Sequence, residues 1–215
     1  MILKQGNMAR RSKSSDRWLR EHFSDPFVKR ARAEGWRSRA VFKLEQIDRK
    51  ERLLKPGMVV LDLGAAPGAW SQYARQRVGK PGRVLASDIL EMEPLAGVEF
   101  LQGDVREQVV LDALKRAIGA PGIDLLMSDM APNLSGMDVI DAPRSMYLSE
   151  LALDMARETL KPGGTALIKV LQGAGFEALM GSARTSFGRV KCLKPEASRS
   201  RSSETYLLAS GKRMV

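Results

Sequence analysis

The stretch MVVLDLGAAPGAW, at residues 58–70, determines how the fold begins. Its apolar run at Met58–Leu63 ends at Gly64, and a short turn then leads into a helical pattern from about Ala69 to Val78. A short apolar run bounded by turn residues is typical of a buried strand. The stretch therefore predicts a strand, a tight turn and a helix in succession.

Strands and helices continue to alternate after this unit, which favours an α/β fold with a mostly parallel sheet covered on both faces. Two helices precede it: one begins at Ser24-Asp25-Pro26, and the other is capped by Ser38. The last two strands are joined only by a loop, which predicts an antiparallel C-terminal edge hairpin. Beyond the first unit, we expect strands at Arg83–Ser87, Val98–Leu101, Ile123–Ser128, Thr165–Val170, Val190–Leu193 and Thr205–Ala209, and helices at Val105–Ile118, Arg144–Leu160 and Phe176–Phe187.

Size and composition fit one globular domain. The chain has 215 residues, of which 44% are hydrophobic and 28% are charged. This balance is typical of folded rather than disordered proteins. We expect a single domain at residues 24–215, preceded by a basic, flexible tail at residues 1–23, and we expect the protein to act as a monomer.

Cysteine and histidine are scarce, which excludes several kinds of site. Cys192 is the one cysteine and His22 the one histidine, so an internal disulfide and a Cys/His zinc site are both excluded. We expect no metal cofactor. The sequence has no apolar run as long as a membrane span, and its N-terminus lacks the apolar core of a signal peptide. We therefore expect a cytoplasmic protein with no membrane partner.

Positive charge is concentrated towards the two ends of the chain. Residues 1–50 hold 14 Lys/Arg and 6 Asp/Glu, and residues 181–215 hold 8 and 2. The central residues, 51–180, hold 13 Lys/Arg and 17 Asp/Glu and are mildly acidic. Such segregation exceeds what solubility requires and is typical of proteins that bind a polyanion, most simply nucleic acid.

The turn after the first strand has the composition of a ligand-binding loop. Gly64 and Gly68 allow a ligand to approach the backbone closely. The spacing is not G-x-G-x-x-G, because Pro67 intervenes, and no Gly-Lys-Ser/Thr follows as it does in a phosphate-binding loop. A cradle for nucleotide phosphates is therefore disfavoured.

Aspartates follow three successive predicted strands. Asp88 lies 20 residues after Gly68, where a carboxylate can accept hydrogen bonds from ribose hydroxyls. Asp104 closes the next strand and could accept from an adenine amino group, and Asp129 closes the fourth strand. One such aspartate is more often just a helix cap. Three beside a glycine turn favour an adenosine-containing ligand without a required pyrophosphate, such as S-adenosylmethionine.

A lysine lies among apolar residues in the predicted strand TALIKV. Lys169 is costly there unless it is paired, functional or extended towards the surface. Ligands of parallel sheets bind beyond the carboxyl ends of the strands. The sequence therefore predicts that one crevice is lined by Gly64, Asp88, Asp104, Asp129 and Lys169.

Six segments agree in order and spacing with one known family. They are SRAVFKL (38–44), LDLGAAPGAWSQ (61–72), SDMAPNLSG (128–136), PRSMYLSELAL (143–153), PGGTALIKVLQG (162–173) and KPEASRSRSSETYLLA (194–209). In these segments, the chain resembles the FtsJ/RrmJ (RlmE) ribosomal RNA 2'-O-methyltransferases of bacteria from about Phe27 to Gly211. The resemblance implies a Rossmann-like class I S-adenosylmethionine-dependent methyltransferase fold.

The resemblance also implies which residues form the site. A Lys-Asp-Lys-Glu tetrad falls on Lys43, Asp129, Lys169 and Glu204, with every residue type matched. The implied substrate is a uridine ribose in large-subunit (23S) ribosomal RNA, in the A-loop of the 50S particle, with the basic ends of the chain contacting the RNA. Residues implied to bind S-adenosylmethionine are Gly64, Gly68, Trp70, Asp88, Asp104 and Asp129.

Two roles for Lys169 are open at this point. An unperturbed lysine is mostly protonated at neutral pH, whereas a base must be deprotonated. The like charge of Lys43 would lower its pKa, while Asp129 and Glu204 would raise it. Lys169 is therefore either a general base for the 2'-hydroxyl or a cation that orients the hydroxyl and stabilises the forming alkoxide. Lys43 and Glu204 are assigned to substrate placement and pKa tuning.

Several other functions remain to be weighed. An adenine N6-methyltransferase would need an Asn/Asp-Pro-Pro-aromatic loop, but the sequence after the fourth strand is Asp129-Met-Ala-Pro. A cytosine C5-methyltransferase would need a cysteine nucleophile, and Cys192 is far from any of the strand-end motifs. A dehydrogenase would need a different glycine spacing. The open alternatives are 2'-O-methylation of transfer RNA or a cap, and non-catalytic RNA binding.

Deletion of residues 1–23, which carry six Lys/Arg and two Asp/Glu, is predicted to weaken RNA binding but to preserve cofactor binding. Each lost phosphate contact should flatten the slope of log K against log salt by about 0.7–0.9. Filter binding of RNA across a salt series would measure this slope. An unchanged slope would contradict an electrostatic role for the tail.

Overall fold

The computed structural model describes residues 25–132, 135–199 and 202–214, so the predicted tail at residues 1–23 lies outside the described part. Within the described part, one sheet contains the strands β1 (Val59–Leu63), β2 (Arg83–Asp88), β3 (Val98–Gln102), β4 (Ile123–Ser128), β5 (Leu160–Leu171), β6 (Phe187–Leu193) and β7 (Glu204–Lys212). The helices are α1 (Pro26–Ala33), α2 (Val41–Glu51), α3 (Ala69–Val78), α4 (Gln108–Ile118), α5 (Asp138–Thr159) and α6 (Phe176–Ser186).

The sheet confirms the predicted α/β class. Its strands have the order β3-β2-β1-β4-β5-β7-β6. Strands β1 to β5 pair in parallel, whereas β7 pairs antiparallel with both β5 and β6. The antiparallel edge is thus present as predicted. Because β7 lies between β5 and β6 in the strand order, β7 is the strand that borders the parallel part of the sheet.

Helices cover both faces of the sheet. One face packs against α1, α2 and α3, and the other packs against α4, α5 and α6. Consecutive strand residues therefore enter different cores, which explains the unbroken apolar runs of the sequence. Val60, Leu125 and Leu167 pack with the first three helices, and Leu61, Leu126 and Ile168 with the last three.

The two N-terminal helices begin near the predicted places. The side chain of Asp25 accepts a hydrogen bond from the Phe27 amide at 2.9 Å, and Pro26 occupies the first turn of α1. Ser38, however, does not cap α2. Its hydroxyl accepts from the Ala40 amide at 3.3 Å, and Ala40 is the residue that precedes the helix. Ser38 therefore supports the turn before α2.

The longest helix starts earlier than the predicted Arg144. Helix α5 begins at Asp138 and contains Pro143, which the sequence treats as a boundary. The carboxylate of Asp141 accepts the Ser135 amide at 2.9 Å and the Gly136 amide at 3.0 Å. These bonds fix the loop onto the first turn of the helix. Pro143, the sixth residue of α5, removes one internal hydrogen bond of the helix, the one that its position would otherwise donate to the Val139 carbonyl.

Other boundaries differ by a few residues. Helix α4 begins at Gln108 rather than at Val105, because the residues after Asp104 form a turn. Helix α6 ends at Ser186, and Phe187 already belongs to β6. Strand β5 is longer than the predicted Thr165–Val170 and includes the predicted turn at Pro162-Gly163-Gly164. Its pairing register with β4 shifts in this region. No helix in the described ranges is both long and apolar enough to cross a membrane.

Asp48 ties α2 to α3 and to the turn before β1. It is 2% exposed, and its carboxylate accepts the Leu54 amide at 2.8 Å and the Tyr73 hydroxyl at 2.9 Å. The Arg77 Nε also forms an ion pair with the Asp48 carboxylate at 3.1 Å. These contacts hold α2, which carries Lys43, in a fixed position against the sheet.

Asp48→Ala is predicted to destabilise the fold by about 3 kcal/mol, because it leaves the Tyr73 hydroxyl and the Leu54 amide buried without an acceptor. The melting temperature should fall by roughly 10 °C. Asp154→Ala is the control, since the Asp154 side chain is 61% exposed and its loss should cost less than about 1 kcal/mol. Equal melting temperatures of the two variants would contradict this role for Asp48.

Candidate active site

A crevice opens beyond the carboxyl ends of the parallel strands, where the topology predicts a ligand site. It is a cavity of about 440 Å³, and its walls come from the loops after β1, β2, β3 and β4 together with α5. Four of the five predicted residues line it: Gly64, Asp88, Asp104 and Asp129. Lys169 does not line it, contrary to the prediction. Its strand, β5, lies beyond β4 in the sheet, and its ammonium contacts Asp129 instead.

The turn after β1 passes very close to the loop after β4. Gly64 has a φ of 73°, and a Cβ there would lie 2.7–2.9 Å from atoms of Met130. A larger residue would therefore separate the two loops that form the crevice floor. The carboxylate of Asp88 accepts the Ala66 amide at 2.9 Å and the Leu90 amide at 2.9 Å. Asp88 thus joins the β1 and β2 loops at the edge of the cavity.

Asp104 is held by its near neighbour Arg106, which also lines the cavity. The guanidinium bonds both carboxylate oxygens, with distances of 2.6–3.0 Å. These hydrogen bonds lower the pKa of Asp104 from its ordinary value. The carboxylate is consequently ionised and can only accept hydrogen bonds. It is therefore a suitable partner for an amino group, which donates them.

Gly68 and Trp70 lie behind the crevice and are not among its lining residues. Gly68 precedes α3 with a φ of 105°, and a Cβ there would lie 2.8 Å from the Met92 sulfur. Trp70 is buried, and its indole Nε1 donates to the Ala40 carbonyl at 2.8 Å. Its ring centroid is 5.7 Å from that of Tyr206. Their roles in cofactor binding stay predictions, and the contacts seen here are packing contacts.

The four tetrad residues come together from four different elements. Lys169 on β5 donates to the Asp129 carbonyl at 2.6 Å and lies 3.2 Å from its Oδ1. Lys43 on α2 lies 2.7 Å from Glu204 Oε1 and 4.0 Å from Asp129 Oδ2. The side chains are mostly buried, with exposures of 9–18%. Two ammonium groups and two carboxylates thus form one contiguous cluster.

Tyr206 belongs to this cluster, although the sequence analysis did not identify it. Its hydroxyl donates to Asp129 Oδ1 at 2.8 Å and lies 3.3 Å from Glu204 Oε1. Tyr206 also pairs in register with Lys169 across β5 and β7. The available signal was its spacing: it follows Glu204 by two residues, and such residues lie on the same face of a strand.

The cluster determines the charge of its carboxylate. Burial alone would raise the pKa of Asp129, but the charges of Lys169 and Lys43 and the hydrogen bonds from Tyr206 and Lys169 together lower it. Burial and the nearby charges of Asp129 and Glu204 raise the pKa of the Tyr206 hydroxyl well above its ordinary value. Asp129 is therefore an anion and Tyr206 a neutral donor at neutral pH.

The arrangement can act on a hydroxyl placed at the crevice mouth. An ammonium group has three donors, and Asp129 engages Lys169 at two of its oxygens. A further donor remains for a substrate oxygen. Asp129 both holds this lysine and lines the cavity, so the cluster and the crevice share a wall. No group of metal-ligand side chains occurs among the described residues.

The chain is similar to known methyltransferases over most of its length. Residues 36–212 match the model of the FtsJ-like methyltransferase family. "Ribosomal RNA large subunit methyltransferase E" of Stenotrophomonas maltophilia is 59% identical over 96% of this chain and 98% of its own length. The protein of the same name from Xanthomonas campestris pv. campestris is 58% identical over the same shares.

A solved structure gives the same comparison in three dimensions. It is the crystal structure of a Plasmodium falciparum protein named as a ribosomal RNA methyltransferase. It is 29% identical to this chain, with a TM-score of 0.73, and the alignment covers 82% of this chain and 98% of the other.

A second buried carboxyl lies next to the cluster. Asp62 on β1 is 1% exposed. Its Oδ2 accepts the Ser71 hydroxyl at 2.6 Å, and its Oδ1 has no hydrogen-bond partner among the residues that the structure describes. Burial is the main reason that the pKa of Asp62 is raised to about 7, and the negative charges of Asp129 and Asp88 add to the effect.

Asp62→Asn is predicted to remove a pH-dependent cost of folding. Between the unfolded-state pKa of about 3.9 and the folded-state value, only the folded protein holds the proton, so rising pH favours unfolding. The stability of Asp62→Asn relative to the wild type should rise by roughly 3 kcal/mol from pH 5 to pH 8. Denaturant titrations at both pH values would measure this difference.

Asp154→Asn provides the matched control, because Asp154 is 61% exposed. Its stability relative to the wild type should be the same at both pH values. If Asp62→Asn also shows no change with pH, the carboxyl of Asp62 does not titrate as the structure indicates.

Proposed function

The chain belongs to the FtsJ-like methyltransferase family, and we propose that it transfers a methyl group from S-adenosylmethionine to a ribose 2'-hydroxyl of large-subunit ribosomal RNA. The observation that carries the proposal is the Lys43–Asp129–Lys169–Glu204 cluster, which shares Asp129 with the crevice. A cluster of this kind can bind and polarise a hydroxyl but offers no nucleophile of its own. Methyl transfer to a hydroxyl needs a group that binds and polarises the hydroxyl, and it needs no nucleophile from the protein.

The crevice fits S-adenosylmethionine as the cofactor. Its volume of about 440 Å³ is large enough for a nucleoside with an amino-acid chain. Asp88 and Asp104 both line the crevice, and in this proposal Asp88 accepts from ribose hydroxyls and the ionised Asp104 accepts from the adenine amino group. When bound, the cofactor supplies an electrophilic methyl group on a sulfonium. The residues nearest the cluster, Gly64 and Asp129, would border the reacting end.

Lys169 acts in this proposal as a cation. Its Nζ already donates to the Asp129 carbonyl and lies 3.2 Å from the Asp129 carboxylate, contacts that suit an ammonium group. The remaining donor orients the 2'-hydroxyl and stabilises negative charge on its oxygen. A carbon–oxygen bond forms as the carbon–sulfur bond breaks, and the hydroxyl proton leaves to water. In the alternative role, deprotonated Lys169 would take that proton itself.

The other cluster members hold Lys169 and the substrate in place. Asp129 fixes the ammonium by two contacts, and Tyr206 donates to Oδ1, the same Asp129 carboxylate oxygen that Lys169 contacts. Glu204 accepts from Lys43, Ser198 and Tyr206, so it organises the entrance. We also propose that the protein acts as a monomer, and the tetrad needs no side chain beyond those of this chain.

The RNA target is proposed to be a uridine in the A-loop of 23S ribosomal RNA on an assembled or nearly assembled 50S particle. The named relatives support a large-subunit ribosomal RNA as substrate, and the net charge of +10 favours a polyanionic partner. A protein that modifies ribosomal particles would act where they are, so the proposed substrate also supports a cytoplasmic location. Transfer RNA, a cap ribose and non-catalytic RNA binding are the outcomes that would replace this proposal.

Lys169→Ala is predicted to lower methyl transfer by at least about 100-fold, because it removes the group that acts on the hydroxyl. The assay uses labelled S-adenosylmethionine with large ribosomal subunits that lack the modification, followed by mapping of the label. Cofactor affinity, measured by calorimetry, should persist. Lys212→Ala is the control, since Lys212 lies on the same sheet and bonds only the Leu160 carbonyl among the described residues.

Each outcome of this assay has a distinct meaning. Label on a uridine 2'-oxygen with the wild type, lost in Lys169→Ala, supports the proposal. Cofactor binding without label on the particle points to another RNA. Absence of both label and cofactor binding leaves RNA binding without catalysis as the better interpretation.

A further inference from the structure

A second cleft lies at the opposite end of the sheet from the crevice. It has a volume of about 380 Å³, and it opens where β1, β4 and β5 begin and where β7 ends. We call it the basal cleft. Thr165, which lines it, is four positions before Lys169 on β5, a distance of about 13 Å along the strand. The charged and hydroxyl side chains of its lining are Glu51, Arg52, Lys55, Asp124, Lys161, Thr165, Arg189 and Ser210.

Both acidic residues of the basal cleft are already neutralised. Asp124 pairs with Lys161 at 2.8 Å, and its second oxygen accepts the Val59 amide at 2.7 Å. Glu51 pairs with Lys191, a neighbour of the cleft on β6, at 2.5 Å. Neither carboxylate is therefore free to repel an anion or to attract another cation.

Three cationic side chains of the basal cleft remain without an acidic partner. Arg52, Lys55 and Arg189 are exposed, and no carboxylate lies within ion-pair distance of them in the described ranges. Arg49 and Lys50, also exposed, continue this band along the last turn of α2. Charges in a last helical turn can simply complement the helix dipole. Arg52 follows the helix directly as its C-cap, so the same explanation extends to it, but it does not apply to Lys55 or Arg189.

The strands add polar groups beside these charges. Thr165 pairs in register with Ser210, and Ser210 pairs in register with Arg189. Residues in register on neighbouring strands have their side chains on the same face of the sheet. Two hydroxyls and a guanidinium therefore form one row across β5, β7 and β6. Such a row can bond phosphate oxygens and ribose hydroxyls.

We propose that the basal cleft is a second RNA-binding site, which holds the phosphate backbone of the substrate outside the reacting nucleotide. This inference rests on the proposed function for the identity of the polymer. A band of five cations that extends past the cleft fits a polyanion better than a small anion. Because the two sites lie at opposite ends of the sheet, only a folded RNA or a long segment can occupy both.

The test is the double variant Arg52→Gln/Arg189→Gln compared with Arg116→Gln/Arg184→Gln. Both pairs remove two exposed arginines, and Arg116 on α4 and Arg184 on α6 lie outside both clefts. Affinity for a large-subunit RNA fragment is measured by filter binding at several salt concentrations. Affinity for S-adenosylmethionine and melting temperature are measured for both variants and should match the wild type.

The cleft variant should bind the fragment at least about tenfold more weakly at 0.1 M salt, with a salt slope flatter by about 1.5. The control variant should shift both quantities much less. A short oligonucleotide that holds only the target nucleotide and its neighbours should bind equally well to both variants. Equal losses in the two variants would overturn the proposal, because the effect would then reflect net charge alone.

Failure of this inference is distinguishable from failure of the proposed function. The binding assay does not depend on methyl transfer, and wild-type activity on the particle is measured separately. If the wild type methylates the RNA and the cleft variant binds it normally, the proposed function stands and the second site does not exist.

Discussion

A lysine in an apolar strand must have a fixed anionic partner, and this constraint determines how the centre of the molecule is built. Lys169 is 9% exposed, and Asp129 at the end of the neighbouring strand is its partner at 3.2 Å. Isolated burial of either charge would cost several kcal/mol. The cluster therefore requires β4, β5 and β7 to keep their order and register, since Tyr206 and Glu204 complete the set from β7. The same contacts that satisfy the buried charges also hold Lys169 at the edge of the crevice.

Much of this arrangement could be predicted from the sequence. The alternation of apolar runs and helical patterns defined the sheet, and strand-end spacing correctly placed Gly64, Asp88, Asp104 and Asp129 on one cavity. These signals depend on local periodicity and on the rule that parallel strands end at one edge. The tetrad did not follow from spacing. Lys43 and Glu204 lie in charged neighbourhoods, where the pattern around each residue is not distinctive. The resemblance to a family supplied them, and the structure brings all four side chains together.

The sequence could not show features that depend on contacts between distant segments. In the sequence, Tyr206 does not differ from an ordinary strand residue, because its contacts with the cluster form only when β7 lies next to β5. The start of α5 was missed because Pro143 normally marks a boundary, while the bonds of Asp141 to the preceding loop stabilise an earlier start. The positions of Lys169 and Trp70 relative to the cavity depend on side-chain direction, and that of Gly68 depends on the path of the backbone in the turn before α3. The basal cleft joins residues from α2, β4, β5, β6 and β7, so no single motif indicates it.

The position of β7 has a consequence for biosynthesis. The strand is made after every other strand of the described sheet, yet it enters the sheet between β5 and β6 rather than at the edge. A growing chain can form the parallel part of the sheet and the crevice before β7 has been translated. Glu204 and Tyr206 belong to this strand, so the charge cluster cannot be completed until β7 has been made. A product that terminates before residue 204 would contain every residue that lines the crevice and would lack Glu204 and Tyr206.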